Sequence, residues 1–445
     1  MSDISRRKLV VIVTRKLLGS TTLILGLALL AGRASGFVRE VLIARELGLS
    51  AQADIAVILL TLPDLFVNIL LAGGLTAALV PRLSVLSSSA RSKLFWQSTV
   101  FAAAVFTIIA LIVGAAPDSV LALIAPGYVG ALDEQARFLF AVVCIAIPFT
   151  ALSGISTALL NSQGRFFLAG TGTLIFNVIV IGGVVIGSSR GQTLVWLACA
   201  IAMGAFVRYG SQLLGIIDKV EFRIGRALYF DRRLGASFTY ALIATSATLL
   251  VPVLMRSLAT LLGSGSLAGF SYATKIVELP IGILITTFGT VALPRLSRMV
   301  DAADTGAAVA FYNRSCAKAT GLAIAIAIPA IIVSRTIVGL VLGEDSFSAA
   351  DLNLISELVR IGLIGLPLVA VSSMATAALN AQGRQNLLLK RTALSAMFLP
   401  FLVVPGLVLD DIRLLMVALV AFQAILAFSL WKLVKQKKFE HEKIV

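Results

Sequence analysis

The chain has 445 residues, of which 59% are hydrophobic and only 13% charged, whereas soluble domains average about 45–50% apolar and about 25% charged residues. A soluble fold of this length could not cover so much apolar surface, so the composition indicates an integral membrane protein. The three cysteines are scattered in apolar stretches, which excludes a disulfide framework and a thiolate metal cluster, and the chain has a single histidine. They also argue against a zinc centre or a Ser-His-Asp catalytic machine.

Apolar stretches between polar breaks predict α-helical membrane spans. Residues 100–116 and 319–333 carry no charge, a helix needs about 20 such residues to cross the bilayer, and the alternating pattern of a membrane β-strand is absent. A basic segment without a small-residue cleavage site precedes the first stretch, which predicts an uncleaved first span. In chain order the twelve predicted spans are 20–44, 55–80, 95–116, 137–160, 167–187, 192–217, 236–262, 269–293, 316–342, 355–380, 387–409 and 412–431.

The net charge of +15 is explained first by topology. With the amino terminus inside, alternation of the loops places 26 of the 37 Lys and Arg residues on the cytoplasmic side, five outside and six within spans. Because positive loops stay cytoplasmic during insertion, the sequence predicts that both termini are cytoplasmic. An anionic inner leaflet would also attract these loops.

Two short strings recur and indicate an internal duplication. LLNSQGR at 159–165 resembles ALNAQGR at 378–384, and PRLS at 81–84 returns at 294–297. The similar offsets predict two parallel six-helix lobes with a substrate site between them near the membrane midplane. The QGR strings also have a plainer interpretation as helix stops, with glycine at the C-cap. The predicted parts are an N-terminal lobe at 1–217, a cytoplasmic linker at 218–235, a C-terminal lobe at 236–434 and a cytoplasmic tail at 435–445.

Six cations remain inside the predicted spans, where a charge costs at least about 2.5–3.5 kcal/mol on insertion scales and usually faces a cavity or a partner. Span one contains Arg33, Arg39 and Glu40. Guanidinium groups bind phosphate oxygens bidentately, so one interpretation is an anion pocket made by the two arginines. The other is a structural Arg–Glu pair, with Arg39 extending to the outer interface. The six span cations are Arg33, Arg39, Arg208, Arg256, Lys275 and Arg360.

Spans two and eight carry further polar candidates. Asp64 and Asn68 are four residues apart and share a helix face. Asp64 fits a counter-ion for Arg33, a proton or sodium site, or an interhelical hydrogen-bond acceptor. Lys275 and Glu278 are three residues apart, which fits an internal ion pair or a cation that faces the cavity. Three other span cations have no evident partner on their own helices and rank lower: Arg208, Arg256 and Arg360.

Several of these strings together resemble the MurJ/MviN family of the MOP exporter superfamily. The most specific is RxxGFxRE at 33–40, followed by Ala53-Asp54, whereas YAxKxxExPxG at 272–282 and QGR at 163–165 are weaker. The resemblance implies an all-α integral membrane protein with two six-helix lobes in a V. It also implies a flippase of the bacterial inner membrane that moves lipid II, the undecaprenyl-pyrophosphate peptidoglycan precursor, to the outer leaflet by alternating access.

The resemblance assigns roles to particular side chains. It implies that Arg33, Arg39 and Lys275 hold the substrate pyrophosphate, with lysine standing where the family pattern has arginine; lysine keeps the charge but loses the bidentate fork. Further residues are candidates for a polar cavity or for ion coupling. These candidates are Glu40, Asp54, Asp64, Asn68, Arg256 and Glu278. No catalytic residue and no metal ligand is expected in a transporter of this kind.

The sequence also departs from the family pattern. Lipid II flippases usually have an arginine pair in span two and a glutamate soon after, but the positions here read Val67-Asn68 and Ala72-Gly73. The chain would also be a divergent member without the two further C-terminal spans. A flippase for an exopolysaccharide or O-antigen repeat unit, a Wzx-like role, is therefore the main alternative. A cation-coupled small-molecule exporter and a transport-inactive scaffold are less favoured, and a membrane glycosyltransferase ranks last because the loops are short.

No cofactor is expected, since the sequence has no P-loop motif for a nucleotide. Membrane potential, a proton gradient or a sodium gradient would reset the transporter instead. The expected partners are the undecaprenyl-pyrophosphate-linked glycan, membrane lipids and enzymes of cell-wall or polysaccharide synthesis. Nucleic acid is not expected, because the positive charge is already explained by topology.

Overall fold

A computed structural model describes residues 31–69, 75–216, 221, 251–284, 288, 290–343 and 346–436. All regular elements in these ranges are helices, which confirms the predicted all-α class. Helix α1 covers residues 31–47, and α10 covers residues 251–259. The other helices of the first half are α2 Ala51–Ile69, α3 Leu75–Val85, α4 Ser88–Ala115, α5 Pro117–Ile124, α6 Glu134–Cys144, α7 Ala146–Ser162, α8 Phe166–Arg190 and α9 Thr193–Leu214.

The second half continues in the same way. Its helices are α11 Ser266–Leu284, α12 Thr290–Asp301, α13 Thr305–Ile332, α14 Ser334–Leu342, α15 Ala349–Ile364, α16 Leu366–Ala381, α17 Gln385–Ala396, α18 Leu399–Val408 and α19 Ile412–Gln436. Short 3₁₀ turns cover Pro126–Tyr128 and Thr260–Leu262.

Eight helical stretches in the described residues are long and apolar enough to cross a membrane. They correspond to predicted spans three to six and nine to twelve. The other four predicted spans overlap residues outside the described ranges, so the total of twelve stays a prediction. The prediction for span nine is wrong in its limits: the long apolar helix is Thr305–Ile332, and α14 follows as a separate short helix after Val333.

Two of these spans consist of two helices joined at a single residue. Ile145 separates α6 from α7, and Gly365 separates α15 from α16. A proline follows each break, Pro148 and Pro367, which has no N–H to bond the carbonyl four residues earlier. A Cβ at Gly365 would lie 2.2 Å from the side-chain oxygen of Gln423 on α19, so a larger residue there would require the Gln423 side chain to move.

Polar side chains define where several helices begin. Asp133 accepts the N–H of Ala136 at 2.7 Å before α6, and Asp304 accepts the N–H of Ala307 at 2.9 Å before α13. Ser348 starts α15 with a reciprocal capping box. Each cap satisfies an N–H that the first helical turn leaves without an intrahelical partner.

The repeated QGR strings form the same helix stop at two places in the fold. After α7, Gly164 has φ +71° and the N–H of Arg165 bonds the carbonyl of Leu160 at 2.9 Å. After α16, Gly383 has φ +72°, and the N–H of Arg384 donates to the carbonyl of Leu379, also at 2.9 Å. Both are Schellman motifs, in which glycine adopts the left-handed conformation without a Cβ penalty. The interpretation as helix stops is confirmed.

The chain divides into two compact units. The first comprises residues 1–42, 58–120 and 132–246, and the second comprises 43–57, 121–131 and 247–445. Chain order had predicted lobes at 1–217 and 236–434, and the linker between them lies outside the described residues except for position 221. Two short early segments, 43–57 and 121–131, thus belong with the later half by their contacts, and the hydrogen bonds responsible are described below.

Each unit has its own apolar core. In the first, Leu83 of α3 packs with Leu94, Phe95 and Leu159. In the second, the equivalent repeat position Leu296 of α12 packs in a core with other fully or nearly buried side chains. These are Tyr312, Met374, Leu379 and Leu430. The corresponding core positions of Leu83 and Leu296, together with the same helix stop after α7 and α16, support the predicted duplication.

Candidate functional site

A buried polar cluster in the first unit is centred on Arg39. Only 4% of this residue is exposed, and its guanidinium donates from Nη1 to Asn177 Oδ1 at 3.1 Å. Its Nη2 donates to Glu40 Oε1 at 2.8 Å and to Asp64 Oδ2 at 3.2 Å. The structure therefore brings together three predicted candidates, Arg39, Glu40 and Asp64. Span one does contain an Arg–Glu pair, but Arg39 is buried within it, so the prediction that Arg39 extends to the outer interface is wrong. We call this group with Asn177 the α1 cluster.

Asn177, which the sequence analysis missed, fixes α8 against α1. Its Nδ2 donates to the carbonyl of Gly32 and to Ser35 Oγ, both at 3.1 Å. Gly36 leaves room for this contact, because a Cβ there would lie 3.3 Å from Asn177 Nδ2 and the amide would have to shift slightly. The neighbouring Phe176 ring lies 5.9 Å from Arg39 Cζ. Small residues spaced along α1 were the only sequence signal for this contact.

Arg208 of α9 lies near the same carboxylate. The residue is 3% exposed, and the Asp64 carboxylate is close enough to act on it electrostatically. It packs over Gly172 of α8, where a Cβ would lie 3.2 Å from Arg208 Nε. Arg208 ranked low as a site candidate because its own helix offers it no partner. Its charged neighbour is Asp64, which belongs to α2.

The two arginines predicted to form one pocket have opposite environments. Arg33 is exposed, whereas Arg39 is enclosed and both terminal nitrogens of its guanidinium donate to acceptors. Arg33 therefore has a side chain accessible to an incoming ligand, while Arg39 holds its neighbours in position. Asn68 lies within α2, but its side chain is outside the described residues.

A second charged group, the α11 group, lies in the second unit. Lys275 Nζ is 3.0 Å from Glu278 Oε2, and Arg256 Nη2 is 3.7 Å from Glu278 Oε1. The predicted internal ion pair of span eight is confirmed, and Arg256 from α10 joins it. Two cations thus share one carboxylate, so the group carries an excess positive charge. The side chain of Lys275 is 27% exposed and that of Glu278 is 48% exposed, which leaves both accessible.

Asp54 has a different environment from the other acidic candidates. It is fully buried in the second unit and accepts the N–H groups of Gly265 and Ala268 at 2.8 and 2.7 Å. Tyr128 Oη donates to Asp54 Oδ2 at 2.8 Å. Asp54 therefore caps the amino end of α11, where a negative charge also complements the helix dipole. Burial and the nearby carboxylate raise the pKa of Tyr128 above its usual range, so the phenol stays protonated and keeps donating.

Arg45 makes the complementary contact at the end of another helix. Its Nε donates to the carbonyl of Val341 at 3.0 Å and its Nη2 to that of Leu340 at 3.1 Å. These carbonyls belong to the last turn of α14, which has no intrahelical donors for them. Arg45 and Asp54 flank the turn between α1 and α2, so each helix end receives the charge that its dipole favours. These bonds explain why segment 43–57 belongs to the second unit.

Segment 121–131 joins the same unit through backbone contacts. Ser257 Oγ donates to the carbonyl of Leu123 at 2.8 Å, and the N–H of Gly127 donates to Thr260 Oγ1 at 3.0 Å. A Cβ at Gly127 would lie 1.9 Å from the carbonyl oxygen of Thr260. Only glycine permits this approach of two backbones.

Comparison with known proteins gives a family match. A family model described as "Lipid II flippase MurJ" matches residues 43–445. A probable lipid II flippase MurJ of Rhizobium tropici is 26% identical over 361 residues, which cover 77% of this chain and 67% of that protein. A lipid II flippase MurJ of Burkholderia cenocepacia is 26% identical over 364 residues, covering 77% and 70%. A Rhizobium meliloti relative is covered over 66% of its length, so the chain spans about two thirds of these relatives.

Solved structures give the same fold. A lipid II flippase MurJ in an inward closed conformation superposes with a TM-score of 0.82 at 18% identity, over 93% of this chain and 87% of that chain. A multidrug resistance MATE family transporter of the MOP superfamily, in an inward-facing conformation, gives a TM-score of 0.74 at 14% identity, over 91% and 94%. At these identities the likeness shows the shared helical transporter fold.

Proposed function

Since the MurJ family model matches residues 43–445, the chain belongs to this family of lipid II flippases, and we propose that it moves a polyprenyl-pyrophosphate-linked saccharide of the lipid II type from the inner to the outer leaflet of the inner membrane. It is a multi-pass membrane protein with the transporter fold of the MOP superfamily. Alternating access would expose the substrate first to one leaflet and then to the other.

The observation that carries this proposal is the excess positive charge of the α11 group. Lys275 and Arg256 share the single carboxylate of Glu278. A cation inside a membrane protein usually requires an anionic partner, and a pyrophosphate supplies one. Arg33, which is exposed on α1, can contribute a bidentate contact to phosphate oxygens. In this proposal Arg39 is a positioning residue: it holds α1 and Asp64 in place, and Arg33 makes the first contact with the substrate.

Transport needs an energy source. We propose that membrane potential or a proton or sodium gradient resets the protein. Asp64 and Glu278 are the carboxylates best placed for ion coupling, because their side chains are 34% and 48% exposed. Enzymes that make the lipid-linked saccharide would be its functional neighbours in the membrane.

The direct test is complementation of a strain depleted of its lipid II flippase. The wild-type chain should restore growth, and Lys275→Gln should fail to do so at equal protein level. Arg137→Gln is the matched control, because it removes one positive charge from a half-exposed ion pair with Asp118 in the other unit. Equal growth of the two variants would show that Lys275 does not contact the substrate.

Failure of the wild-type chain itself would point to another saccharide. The departure at Val67-Asn68, where arginines are usual, favours a repeat unit of an exopolysaccharide or O-antigen as the second candidate. Restored glycan export in a strain without its own repeat-unit flippase would then identify that substrate.

A further inference from the structure

Arg39 and Arg208 both lie near the Asp64 carboxylate, but only Arg39 forms a hydrogen bond with it. Arg39 forms hydrogen bonds with three acceptors, including Asp64 Oδ2 at 3.2 Å. Arg208 is buried too, but its guanidinium forms no hydrogen bond with any part of the chain that the structure describes, and its Nε is fully enclosed. A guanidinium has five N–H donors, and a buried charge without hydrogen bonds is costly unless a ligand supplies them.

The surroundings of Arg208 are polar and fixed. Gln212, one turn along α9, donates from Nε2 to Thr157 Oγ1 at 3.0 Å and accepts from Ser153 Oγ at 2.7 Å. Gly172 lies under both side chains, and a Cβ there would lie 2.7 Å from Gln212 Nε2. The hydrogen bonds of Gln212 thus go to α7, and none of them joins it to Arg208. Asp64, whose side chain is 34% exposed, is near enough to stabilise the positive charge of Arg208.

We propose that Arg208 is an anion-binding residue and that Asp64 is the internal competitor for its ligand, a phosphate-type anion. This inference rests on the proposed function: the anion would be the substrate pyrophosphate. Among the described residues no acceptor takes the guanidinium donors of Arg208, while Asp64 balances its charge from a distance. An incoming phosphate supplies both hydrogen-bond acceptors and charge, and Asp64 remains held by Arg39.

Binding of inorganic pyrophosphate to the purified full chain tests this separately from transport. Asp64→Asn should lower the Kd about tenfold, since it removes the competing charge, and Arg208→Gln should abolish that gain in the double variant. Arg208→Lys keeps the charge but loses the bidentate fork. In the Asp64→Asn background it should retain part of the gain in affinity. Arg360→Gln is the matched control, because it is a span arginine whose Nε bonds Ser334 Oγ at 2.6 Å in the other unit.

Two results would overturn the assignment. One is an unchanged Kd in Asp64→Asn, and the other is a gain that persists without Arg208. Chloride competing as well as pyrophosphate would also contradict a phosphate site. If Arg208→Gln fails to fold, Arg208→Lys carries the comparison. Pyrophosphate binding with this pattern in a chain that does not restore growth would refute the proposed transport and leave the anion site standing.

A cavity in the second unit carries a second, independent inference. Its volume is ≈ 350 Å³, and its lining residues are Arg391, Ile425, Phe428, Ser429 and Lys432. The cavity lies between α17 and α19. Within the described residues, neither of its two cations forms an ion pair, and Ser429 Oγ forms no hydrogen bond. Three polar groups that suit a phosphate therefore line one cavity with an apolar wall.

The apolar wall and its neighbours suit a lipid. Phe428 is 63% exposed, and its ring lies 6.1 Å from that of Trp431. Aromatic and basic side chains concentrate where helices leave the membrane. The predicted topology puts this end of spans eleven and twelve on the cytoplasmic side, where anionic lipids attract such cations.

We propose that this cavity binds the headgroup phosphate of an anionic phospholipid, with an acyl chain along Ile425 and Phe428. Titration of the purified full chain with phosphatidylglycerol, followed by native mass spectrometry, measures the affinity. The double variant Arg391→Gln/Lys432→Gln should bind about tenfold more weakly. Lys390→Gln/Lys435→Gln is the matched control, since it removes the same charge from the same helices without changing the lining, and it should bind like the wild type.

Equal loss in both double variants would overturn the site. Phe428→Ser should weaken phosphatidylglycerol binding without changing the binding of inorganic phosphate. Inorganic phosphate that displaces the lipid completely at equal concentration would show that the cavity takes free phosphate, contrary to the proposal.

Discussion

The Asp54 carboxylate accepts the backbone N–H of Ala268 at 2.7 Å, across 214 positions of sequence. One side chain from the beginning of α2 thus completes the first turn of α11, the helix that carries Lys275 and Glu278. Because a helix leaves its first N–H groups without partners, this end of α11 depends on a residue from the other half of the chain.

Removal of this cap should destabilise the protein strongly. Asp54→Ala leaves two buried N–H groups and the Tyr128 hydroxyl without an acceptor, and we expect a loss of about 3 kcal/mol. Asp133→Ala, which removes a local cap of α6, should cost only about 1 kcal/mol. Thermal unfolding in detergent gives the comparison, and equal shifts for the two variants would contradict the role of Asp54.

The bond between Tyr128 and Asp54 should make stability depend on alkaline pH. The pKa of Tyr128 is raised in the folded protein, so the folded state binds this proton more tightly than the unfolded state. The contribution is fully present below the unfolded pKa of about 10 and is lost as the pH rises above it. Tyr128→Phe should therefore be less stable than the wild type at pH 8 and lose less stability between pH 9 and 11. Parallel curves for the two proteins would refute this.

Substitution at Gly127 should disrupt segment 121–131. A Cβ at this position meets the backbone of Thr260 at 1.9 Å, and backbone cannot move aside as a flexible side chain can. Gly127→Ala should cost about 3 kcal/mol or more, at the upper end of overpacking effects. Gly321→Ala on α13 is the control, since nothing lies within 4 Å of a Cβ there and alanine favours a helix by up to about 1 kcal/mol. The melting temperatures of the two variants should move in opposite directions.

Loss of Asn177 should release α1 from α8. Asn177→Leu removes an acceptor from Arg39 and a donor to the carbonyl of Gly32, and we expect a cost of about 2–3 kcal/mol because one of these bonds involves a charged group. Asn353→Leu removes an exposed Arg–Asn bond to Arg335 and should change stability by less than about 0.5 kcal/mol. A melting temperature for Asn177→Leu that matches this control would show that the α1 cluster does not hold the two helices together.

Features that depend on local spacing and composition were predictable from the order of residues alone. The apolar stretches gave the helical membrane class, and the QGR strings gave two helix stops, because a glycine at the C-cap acts within one turn. The Lys275–Glu278 pair was predictable for the same reason, since residues three apart on a helix face one another. The family resemblance also rested on contiguous strings, above all residues 33–40.

Contacts between distant residues, in contrast, became apparent only in the folded chain. Arg208 had no partner within its own helix, and its counter-charge comes from Asp64 on α2. Asp54 belonged to a family string, yet its role as a cap for α11 depends on backbone N–H groups that have no sequence signature. Arg45 and Asn177 likewise act on helices far along the chain. Such contacts are determined by how helices pack, and packing depends on the whole surface of each helix, so the spacing of residues within one helix could not show them.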